Sequence, residues 1–291
     1  MQRLKVEQRY DGKKLITYLT SVYPELNINT LRKTLRLKDI KINGNRVKSD
    51  VTIYYGDEIE VYIKDELILG KTVREISIVF EDESIILFDK PTNIEVTELK
   101  DKFKNKYEYL EPCHRIDRNT VGLVLFAKNE ECLKYILSLF KDGKIEKHYI
   151  ACCYGVAKNE DTLEAYLFKD RKKSLVYISN IQKKGYSKIV TSYKLIDLDK
   201  KNKISIIDVN LHTGRTHQIR AHLAHVGLPI IGDGKYGSYE VNHRFKKKTQ
   251  ALCSYSLTFH EIEDERFKYL NNKTIKLNRK PFNEIIYDIR K

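Results

Sequence analysis

The chain has 291 residues, of which 41% are hydrophobic and 32% are charged. It can therefore fill the cores of one full-sized domain and a smaller one, which excludes wholesale disorder. Its five cysteines form no C-x-x-C pair, no stretch approaches the roughly 20 apolar residues of a membrane span, and the first residues lack a signal-peptide core, which predicts a cytoplasmic protein with reduced thiols and no membrane partner. The formal net charge of +14 favours a polyanionic partner such as nucleic acid, although a lysine-rich composition can also serve solubility alone.

Residues 1–64 are predicted to form a small α/β domain. An amphipathic helix is expected around Leu15, and a second helix begins near Asn27 or Asn29, either of which could cap it. Asn43-Gly44, a dipeptide typical of tight turns, then joins two short strands. These patterns indicate two helices followed by a hairpin and a further strand.

Basic residues are concentrated in this first segment, with seven between Arg32 and Lys48 against the single acid Asp39. Three of them lie on the second helix and are candidate RNA-binding residues: Arg32, Lys33 and Arg36. Such a run is often only a solvated face, but a helix followed by a hairpin also offers a rigid platform for a phosphate backbone.

Residues 65–74 are polar and aperiodic, and we interpret them as a linker to a second domain over residues 75–291. In that domain, apolar runs predict buried strands, and apolar residues at helical spacing predict helices that end before a glycine. The predicted strands cover residues 85–88, 121–127 and 204–211, and the predicted helices cover 130–140, with Leu133, Ile136, Leu137 and Phe140 on one face, and 216–226.

Two dense motifs in the second domain carry residues suited to chemistry. His114–Lys128 is H-R-I-D-R-N-T-V-G-L-V-L-F-A-K, and Thr213–His222 is T-G-R-T-H-Q-I-R-A-H. In the first motif, Asp117 lies between two arginines that would keep its carboxylate ionised, as attack at a sugar anomeric carbon requires. An isolated Arg-x-Asp-Arg is also typical of a weak surface salt bridge.

Taken together, these motifs resemble those of the RluA-type RNA pseudouridine synthases, whose members often carry an N-terminal S4 RNA-binding domain. The family patterns are approximately H-R-L-D-R-x-T-S-G-L-L-L-F-A-K and T-G-R-T-H-Q-I-R-x-H, followed by G-x-P-I-x-G-D, which Gly227–Asp233 matches. A K-x-Y strand matches at Lys147–Tyr149 and a K-P pair at Lys90-Pro91. The first segment resembles the S4 domain through Ile40–Gly44 and Gly56-Asp57.

The resemblance implies an α+β protein in which a small S4-type RNA-binding domain precedes a catalytic domain on a bent, mainly antiparallel sheet. It also implies isomerisation of specific uridines in RNA to pseudouridine, with ribosomal RNA as the expected substrate and transfer RNA left open. No metal, nucleotide or other cofactor is implied, because the reaction needs no redox change and no external energy source.

The same resemblance assigns roles to individual residues. Asp117 would act at the ribose of the target uridine, Arg215 would pair with Asp117, and Tyr149 would stack on the base. Arg115 would bind RNA by entering the base stack as the uridine flips out.

Two departures from the family pattern affect different properties. Val121 stands where the family has Ser, at the predicted entry of a strand, so we expect a change in packing. Thr92–Thr97 replaces A-G-L-x-V-H in a loop that is expected to border the site, so it bears on the choice of substrate.

Other functions fit the same sequence less well. A non-catalytic RNA-binding protein is disfavoured because Asp117, Tyr149 and Arg215 are all present, and an S4-linked methyltransferase is disfavoured because no glycine-loop cofactor site is apparent. Gly232–Gly237 satisfies G-x-G-x-x-G, but the polar residues after it lack the helical period of a dinucleotide site. Four histidines lack metal-site spacing and are expected to face solvent or RNA: His212, His217, His222 and His225.

Overall fold

The computed structural model of the protein describes residues 2–23, 28–62, 76–279 and 281–282, and it divides into two compact units, residues 1–75 and 76–291. In the first unit, two helices, α1 (Leu15–Val22) and α2 (Ile28–Arg36), accompany a four-stranded antiparallel sheet. Its strands are β1 (Gln2–Lys5), β2 (Ile40–Ile42), β3 (Asn45–Arg46) and β4 (Glu58–Val61), in the order β1-β4-β2-β3.

The core of the first unit follows from the helical spacing of its leucines. Leu31 and Leu35 lie four residues apart on α2 and are buried, whereas Arg32 and Arg36 between and beyond them are exposed. The expected hairpin is present, and Asn43 adopts a positive φ of 49° at its turn. Three other features lie outside the described residues: the cap candidate Asn27, the side chains of Asn29 and Lys33, and the predicted linker 65–74.

The second unit is built on one 11-stranded sheet with four helices in its described part. The strands are β5 (Ser77–Glu81), β6 (Ile85–Lys90), β7 (Glu111–Pro112), β8 (Val121–Ala127), β9 (Ile145–Tyr154), β10 (Glu160–Asp170), β11 (Leu175–Ser179), β12 (Ser187–Asp199), β13 (Ile204–Leu211), β14 (Leu252–Phe259) and β15 (Thr274–Lys276). The helices are α3 (Val96–Phe103), α4 (Glu130–Lys141), α5 (Gln218–His225) and α6 (Tyr239–Arg244).

The sheet runs β11-β10-β12-β13-β9-β14-β8-β6-β5, with β15 beside β14 and β7 beside β8. Every pairing is antiparallel except that of β14 with β8, which is parallel. The sheet is therefore mixed and mostly antiparallel, as the family resemblance implied. No helix in the described residues is long and apolar enough to cross a membrane.

Strands β6 and β8 are buried on both faces, which explains why their sequences are continuous apolar runs instead of alternating ones. Ile86 and Phe88 point into a core that also contains residues of α3 and α5. Ile85 and Leu87 point the other way, into a second core that contains residues of α4. The predicted strands at 85–88, 121–127 and 204–211 are all confirmed.

Helix α4 is present as predicted, and of the four apolar residues expected on one face only Leu137 lies away from the core. Its buried residues are Cys132, Ile136 and Leu139, while Leu137 is 45% exposed. The Asn129 side chain caps the helix by accepting the Cys132 N–H at 2.7 Å. Leu133 and Phe140 are partly buried and pack against the edge of the same core.

Candidate active site

Asp117 lies in the loop between β7 and β8, where the Thr120 N–H donates to its backbone carbonyl at 3.0 Å and closes a turn. The Asp117 side chain is 22% exposed. It lines two cavities, of about 420 Å³ and about 720 Å³, whose shared wall also includes Arg115 and Arg220. The loop therefore presents one carboxylate to two accessible spaces.

Arg220, on the first turn of α5, is the ion-pair partner of Asp117. Its Nη1 donates to Asp117 Oδ2 at 2.7 Å, and its side chain is only 7% exposed. On its other edge, Nε and Nη2 donate to the two carboxylate oxygens of Asp233 at 2.7 Å and 2.9 Å. A single guanidinium is thus held between two carboxylates, with the bidentate pair fixing its plane.

Asp233 is fully buried and is itself anchored by the polypeptide backbone. The N–H groups of Lys235 and Tyr236 donate to its Oδ1 at 2.8 Å and 3.1 Å. Burial alone would raise the pKa of Asp233, but its hydrogen bonds with Arg220 outweigh that effect and hold the pKa below its ordinary value. The ring of Tyr236 lies 5.3 Å from the guanidinium of Arg220.

The predicted partner of Asp117 was Arg215, and the structure places Arg220 there instead. Arg215 precedes α5, is exposed, and lines the 420 Å³ cavity. Helix α5 begins at Gln218, so Arg220 falls on its buried face while Arg215 remains in the approach loop. Arg220 lies in the matched segment Thr213–His222 and Asp233 in the matched segment Gly227–Asp233, and this is the signal in the sequence that points to both residues.

Gln218 fixes the loop that carries Arg215. Its Oε1 accepts from the Thr213 hydroxyl and the Arg215 N–H at 2.9 Å and 3.1 Å. Its Nε2 donates to the Val190 carbonyl and the Thr191 hydroxyl at 3.1 Å and 3.0 Å. All four hydrogen-bonding positions of this buried amide are used, which ties the loop before α5 to β12.

Two histidines of α5 and its cap have structural partners. His217 adopts a left-handed φ of 53° at the helix start, and its Nδ1 lies 2.8 Å from Tyr236 Oη. His222 is buried with Nδ1 3.1 Å from Thr191 Oγ1, and burial lowers its pKa to about 4. The expectation that these histidines face solvent or RNA is therefore wrong for His222.

Tyr149 lies on β9 and lines the 420 Å³ cavity together with Asp117. It is 5% exposed, and burial raises the pKa of its phenol. The nearby negative charge of Asp117 raises that pKa further. The structure thus brings Asp117 and Tyr149, which the sequence analysis singled out together, to one cavity.

The side chains of Lys90 and His114 support the loop of Asp117. Lys90 has no exposed surface, and its Nζ donates to the carbonyls of Pro91, Ile94 and Arg118 at 3.0 Å, 2.8 Å and 3.0 Å. Burial lowers the pKa of Lys90 to about 8. His114 Nε2 accepts the N–H of Leu125 at 3.1 Å, and burial lowers the pKa of His114 to about 3, so this ring is neutral.

Arg118, directly after Asp117, turns away from that carboxylate. It forms ion pairs with Glu95 and Glu98 at the start of α3, and its Nη1 donates to the Asn93 carbonyl. The segment Thr92–Thr97, which differs from the family pattern, borders the site as expected. The 720 Å³ cavity is lined by three of its residues: Glu95, Val96 and Thr97. Arg115 is exposed and borders both cavities.

The G-x-G-x-x-G segment has a conformational role. Gly232 has a φ of 83°, and a Cβ there would lie 2.0 Å from the Thr249 carbonyl oxygen, so no larger residue fits. Contrary to the sequence analysis, a helix, α6, does follow this segment, but it has only six residues. Across the described ranges, no three His, Cys, Asp or Glu side chains are grouped so as to hold a metal ion.

The chain is similar to known proteins in sequence and in fold. A family model described as RNA pseudouridylate synthase matches residues 84–225, which contain Asp117, Tyr149 and Arg220. The family match and the named relatives support an RNA pseudouridine synthase, an isomerase. The chain is 29% identical over 299 residues to an RNA pseudouridine synthase of Mycoplasma genitalium, covering 93% of each chain.

Further relatives agree with that assignment. The synthase is 29% identical over 254 residues to the ribosomal large subunit pseudouridine synthase C of Rickettsia prowazekii, covering 78% of this chain and 83% of the relative. Among solved structures, human RNA pseudouridylate synthase domain containing 1 superposes with a TM-score of 0.58 at 19% identity, covering 75% of this chain and 96% of the human one. The synthase therefore shares the fold of that human protein.

Proposed function

We propose that Asp117 is the catalytic carboxylate with which this synthase isomerises uridines in RNA to pseudouridine. The observation that carries the proposal is the 2.7 Å ion pair of Asp117 with Arg220 at the wall of the 420 Å³ cavity. Because Asp233 holds Arg220 by two further bonds, the Asp117 carboxylate has a fixed orientation and a cation beside it.

The reaction breaks the bond between N1 of uracil and C1′ of ribose, turns the base within the site, and forms a bond between C5 and C1′. One proton leaves C5 and one is gained at N1, so there is no net oxidation or reduction. Asp117 acts either as a nucleophile at C1′ or as a base toward a ribose proton beside it. Both routes require a carboxylate at this position.

Tyr149 and two arginines have supporting roles in this proposal. The phenol of Tyr149 has a raised pKa and is neutral near pH 7, which favours stacking on the uracil ring; removal of the C5 proton by Tyr149 would first require loss of the phenolic proton. Exposed Arg115 borders both cavities and is suited to enter the RNA stack as the uridine flips out. Arg215 offers a cation to RNA at the mouth of the smaller cavity.

We further propose large-subunit ribosomal RNA as the substrate and the cytoplasm as the compartment. The first proposal draws on the Rickettsia relative, whose description names the ribosomal large subunit. The second draws on the five cysteines, none of which forms a disulfide in the structure. In this scheme the N-terminal unit is an S4-type RNA-binding domain. Its support is the α2 helix with exposed Arg32 and Arg36, followed by the β2–β3 hairpin.

The test of the catalytic role is Asp117→Asn, measured by single-turnover release of tritium from C5-labelled uridine. Asn has nearly the same shape but can neither attack nor remove a proton, so release should fall by several orders of magnitude while RNA binding stays nearly unchanged. Asp161→Asn is a matched control, because Asp161 lies on β10, forms an ion pair with Lys158 and lines neither cavity of the site. Near-normal release by Asp117→Asn would leave a non-catalytic RNA binder as the better hypothesis.

The substrate is tested separately, by mapping pseudouridines across the transcriptome in cells with and without the gene. We expect one or a few sites in large-subunit ribosomal RNA to disappear. Loss of sites in transfer RNA alone would overturn the ribosomal proposal and leave the catalytic one standing.

A further inference from the structure

Strand β9 carries a second side chain on the same face as Tyr149. Lys147 lies two residues before Tyr149, and alternate residues of a strand share a face. Both line the 420 Å³ cavity with Asp117. The Lys147 Nζ lies 5.1 Å from the ring centre of Phe140, which in turn packs 5.3 Å from the ring of His114.

Lys147 is half-buried and has no counter-ion within the part of the chain that the structure describes. Burial lowers its pKa, and no neighbouring carboxylate offsets this effect. Glu146 lies on the opposite face of β9, where it bonds with Asn210 and His148. Contact with an aromatic ring offsets only part of the free energy that a desolvated ammonium costs.

The other buried cations of the site are compensated. Arg220 has two carboxylates, and Lys90 has three carbonyls. Among the described residues that line the 420 Å³ cavity, Asp117 is the only carboxylate, and Arg220 already occupies it. Within the part of the chain that the structure describes, no carboxylate is therefore left to neutralise Lys147, and its charge is available to an anionic ligand.

We propose that Lys147 binds a phosphate of the target RNA strand while the flipped uridine lies between Asp117 and Tyr149. The inference rests on the proposed function, since it assigns this anion to the RNA substrate, which carries one phosphate per nucleotide. An ammonium is a compact charge that suits a single phosphate oxygen, and its low-dielectric surroundings strengthen the attraction. Three further cations line the same cavity and extend a positive path for the strand: Arg115, Lys141 and Arg215.

The test is a cycle between protein and RNA variants. The RNAs are a short oligonucleotide centred on the uridine that the wild-type protein modifies, and two copies with a single neutral methylphosphonate, one on the 5′ side and one on the 3′ side of that uridine. The proteins are wild type, Lys147→Met, Lys147→Arg and Lys134→Met. Lys134 is a matched control, because it pairs with Glu130 on the exposed side of α4.

On unmodified RNA, Lys147→Met should lower single-turnover efficiency by about 10- to 100-fold, mainly through weaker binding, the usual range for a charged hydrogen bond. The efficiency of wild type should fall by a similar factor on one of the two methylphosphonate RNAs. On that RNA the efficiency of Lys147→Met should fall little further, because the protein change and the RNA change remove the same interaction. Lys147→Arg should retain most of the efficiency, and Lys134→Met should match wild type on all three RNAs.

Losses that multiply, with Lys147→Met falling by the same factor on every RNA, would overturn the inference and give Lys147 a packing or base-contacting role. Unfolding curves for Lys147→Met and Lys147→Arg separate misfolding from lost contact. Should wild type form no pseudouridine in any RNA, the proposed function itself would fail, which is a distinct result.

Discussion

Arg220 is the residue on which the orientation of Asp117 depends. Its guanidinium bonds to Asp117 on one edge and to the buried Asp233 on the other. Removing it leaves the Asp117 carboxylate without its cation and leaves the buried Asp233 with backbone N–H donors but no counter-ion. Both consequences follow from one side chain, so activity and stability should respond together.

Arg220→Ala should reduce single-turnover pseudouridine formation by roughly 100-fold or more and destabilise the second unit by about 3–5 kcal/mol, since an uncompensated carboxylate remains in the core. Arg215→Ala should mainly weaken RNA binding, because Arg215 is exposed in the approach loop. Tritium release and urea unfolding would measure the two effects. A larger loss of catalytic rate in Arg215→Ala than in Arg220→Ala would contradict the pairing.

Asp233 should act through Arg220 and not on the substrate itself. In Asp233→Asn the amide can accept one guanidinium N–H but turns its own N–H₂ toward the other, so one arm of the bidentate bond is lost. We expect a rate loss of roughly 10-fold. The double variant with Arg220→Ala should be no slower than Arg220→Ala alone, because both changes release the same guanidinium. Fully multiplicative losses would assign Asp233 a separate role.

At the scale of elements, the parallel pairing of β8 with β14 depends on Gly122. This glycine has a φ of 106°, and a Cβ there would lie 2.1 Å from the Ser254 carbonyl oxygen. Gly143 also has a positive φ, of 73°, but nothing lies within 4 Å of its Cβ position. Both glycines have a left-handed backbone, but only Gly122 also lies too close to another strand to accept a side chain. Comparing alanine substitutions at the two positions therefore distinguishes the cost of the clash from the cost of the backbone conformation.

Gly122→Ala should destabilise the protein by more than about 3 kcal/mol, because a backbone carbonyl cannot move aside as a side chain can. Gly143→Ala should cost only about 1 kcal/mol, the strain of a left-handed alanine. Urea denaturation of both variants checks this difference. Equal destabilisation would show that β8 can shift relative to β14.

Buried apolar runs made some elements predictable and left others hidden. Strands β6, β8 and β13 lie in the cores, so their sequences alone identify them. Strands β10 to β12 were not predicted: they alternate polar and apolar residues, and part of their surface faces solvent. Which strands pair, and that β14 runs parallel to β8, depends on contacts far apart in sequence that no local pattern contains.

The candidate site also had some residues that the sequence revealed and others that depended on the fold. Asp117 and Tyr149 came from the motif resemblance, and the structure brings both to one cavity. Which arginine of the second motif reaches Asp117 depends on where α5 begins, and that start is set by the left-handed His217 and the four hydrogen bonds of Gln218. The sequence spacing between Arg215 and Arg220 does not reveal it.

At the scale of the whole molecule, buried neutral histidines should make stability depend on pH. Burial lowers the pKa of His222 to about 4 and that of His114 to about 3, whereas in the unfolded chain histidine titrates near pH 6.5. The unfolded state therefore takes up protons first as the pH falls. The contribution of each histidine to stability is complete above about pH 6.5, and it is lost as the pH falls toward 4 for His222 and toward 3 for His114.

His222→Gln should flatten the fall in stability between about pH 6.5 and about pH 4 by up to about 3 kcal/mol, because one linked proton is removed. The measurement is urea unfolding of wild type and variant across that pH range. The quantity compared is the change in the free energy of unfolding with pH, and not its value at any one pH. An unchanged pH dependence would mean that His222 is already protonated in the folded protein.

The surplus of positive charge should make RNA binding weaken as the salt concentration rises. We expect the basic residues of α2 to make some of the phosphate contacts responsible. Arg32 and Arg36 are exposed on that helix and line a 580 Å³ cavity with Lys48. Changing Arg32, Lys33 and Arg36 to Ala should weaken binding and reduce the slope of log affinity against log salt by up to about three phosphate contacts. Single-turnover rate at saturating RNA should stay near wild type, because Asp117 and its partners lie in the other unit.

A control with the same loss of charge distinguishes specific contact from net charge. Lys134, Lys158 and Lys268 each form an exposed ion pair in the second unit, so changing all three to Ala lowers the net charge equally without touching α2. Phosphate contact by α2 predicts a smaller salt slope only in the α2 variant, since only groups that displace counterions from RNA enter that slope. Equal slopes in both variants would show that α2 faces away from RNA, and a fall in the saturated rate would show that the N-terminal unit also affects the chemical step.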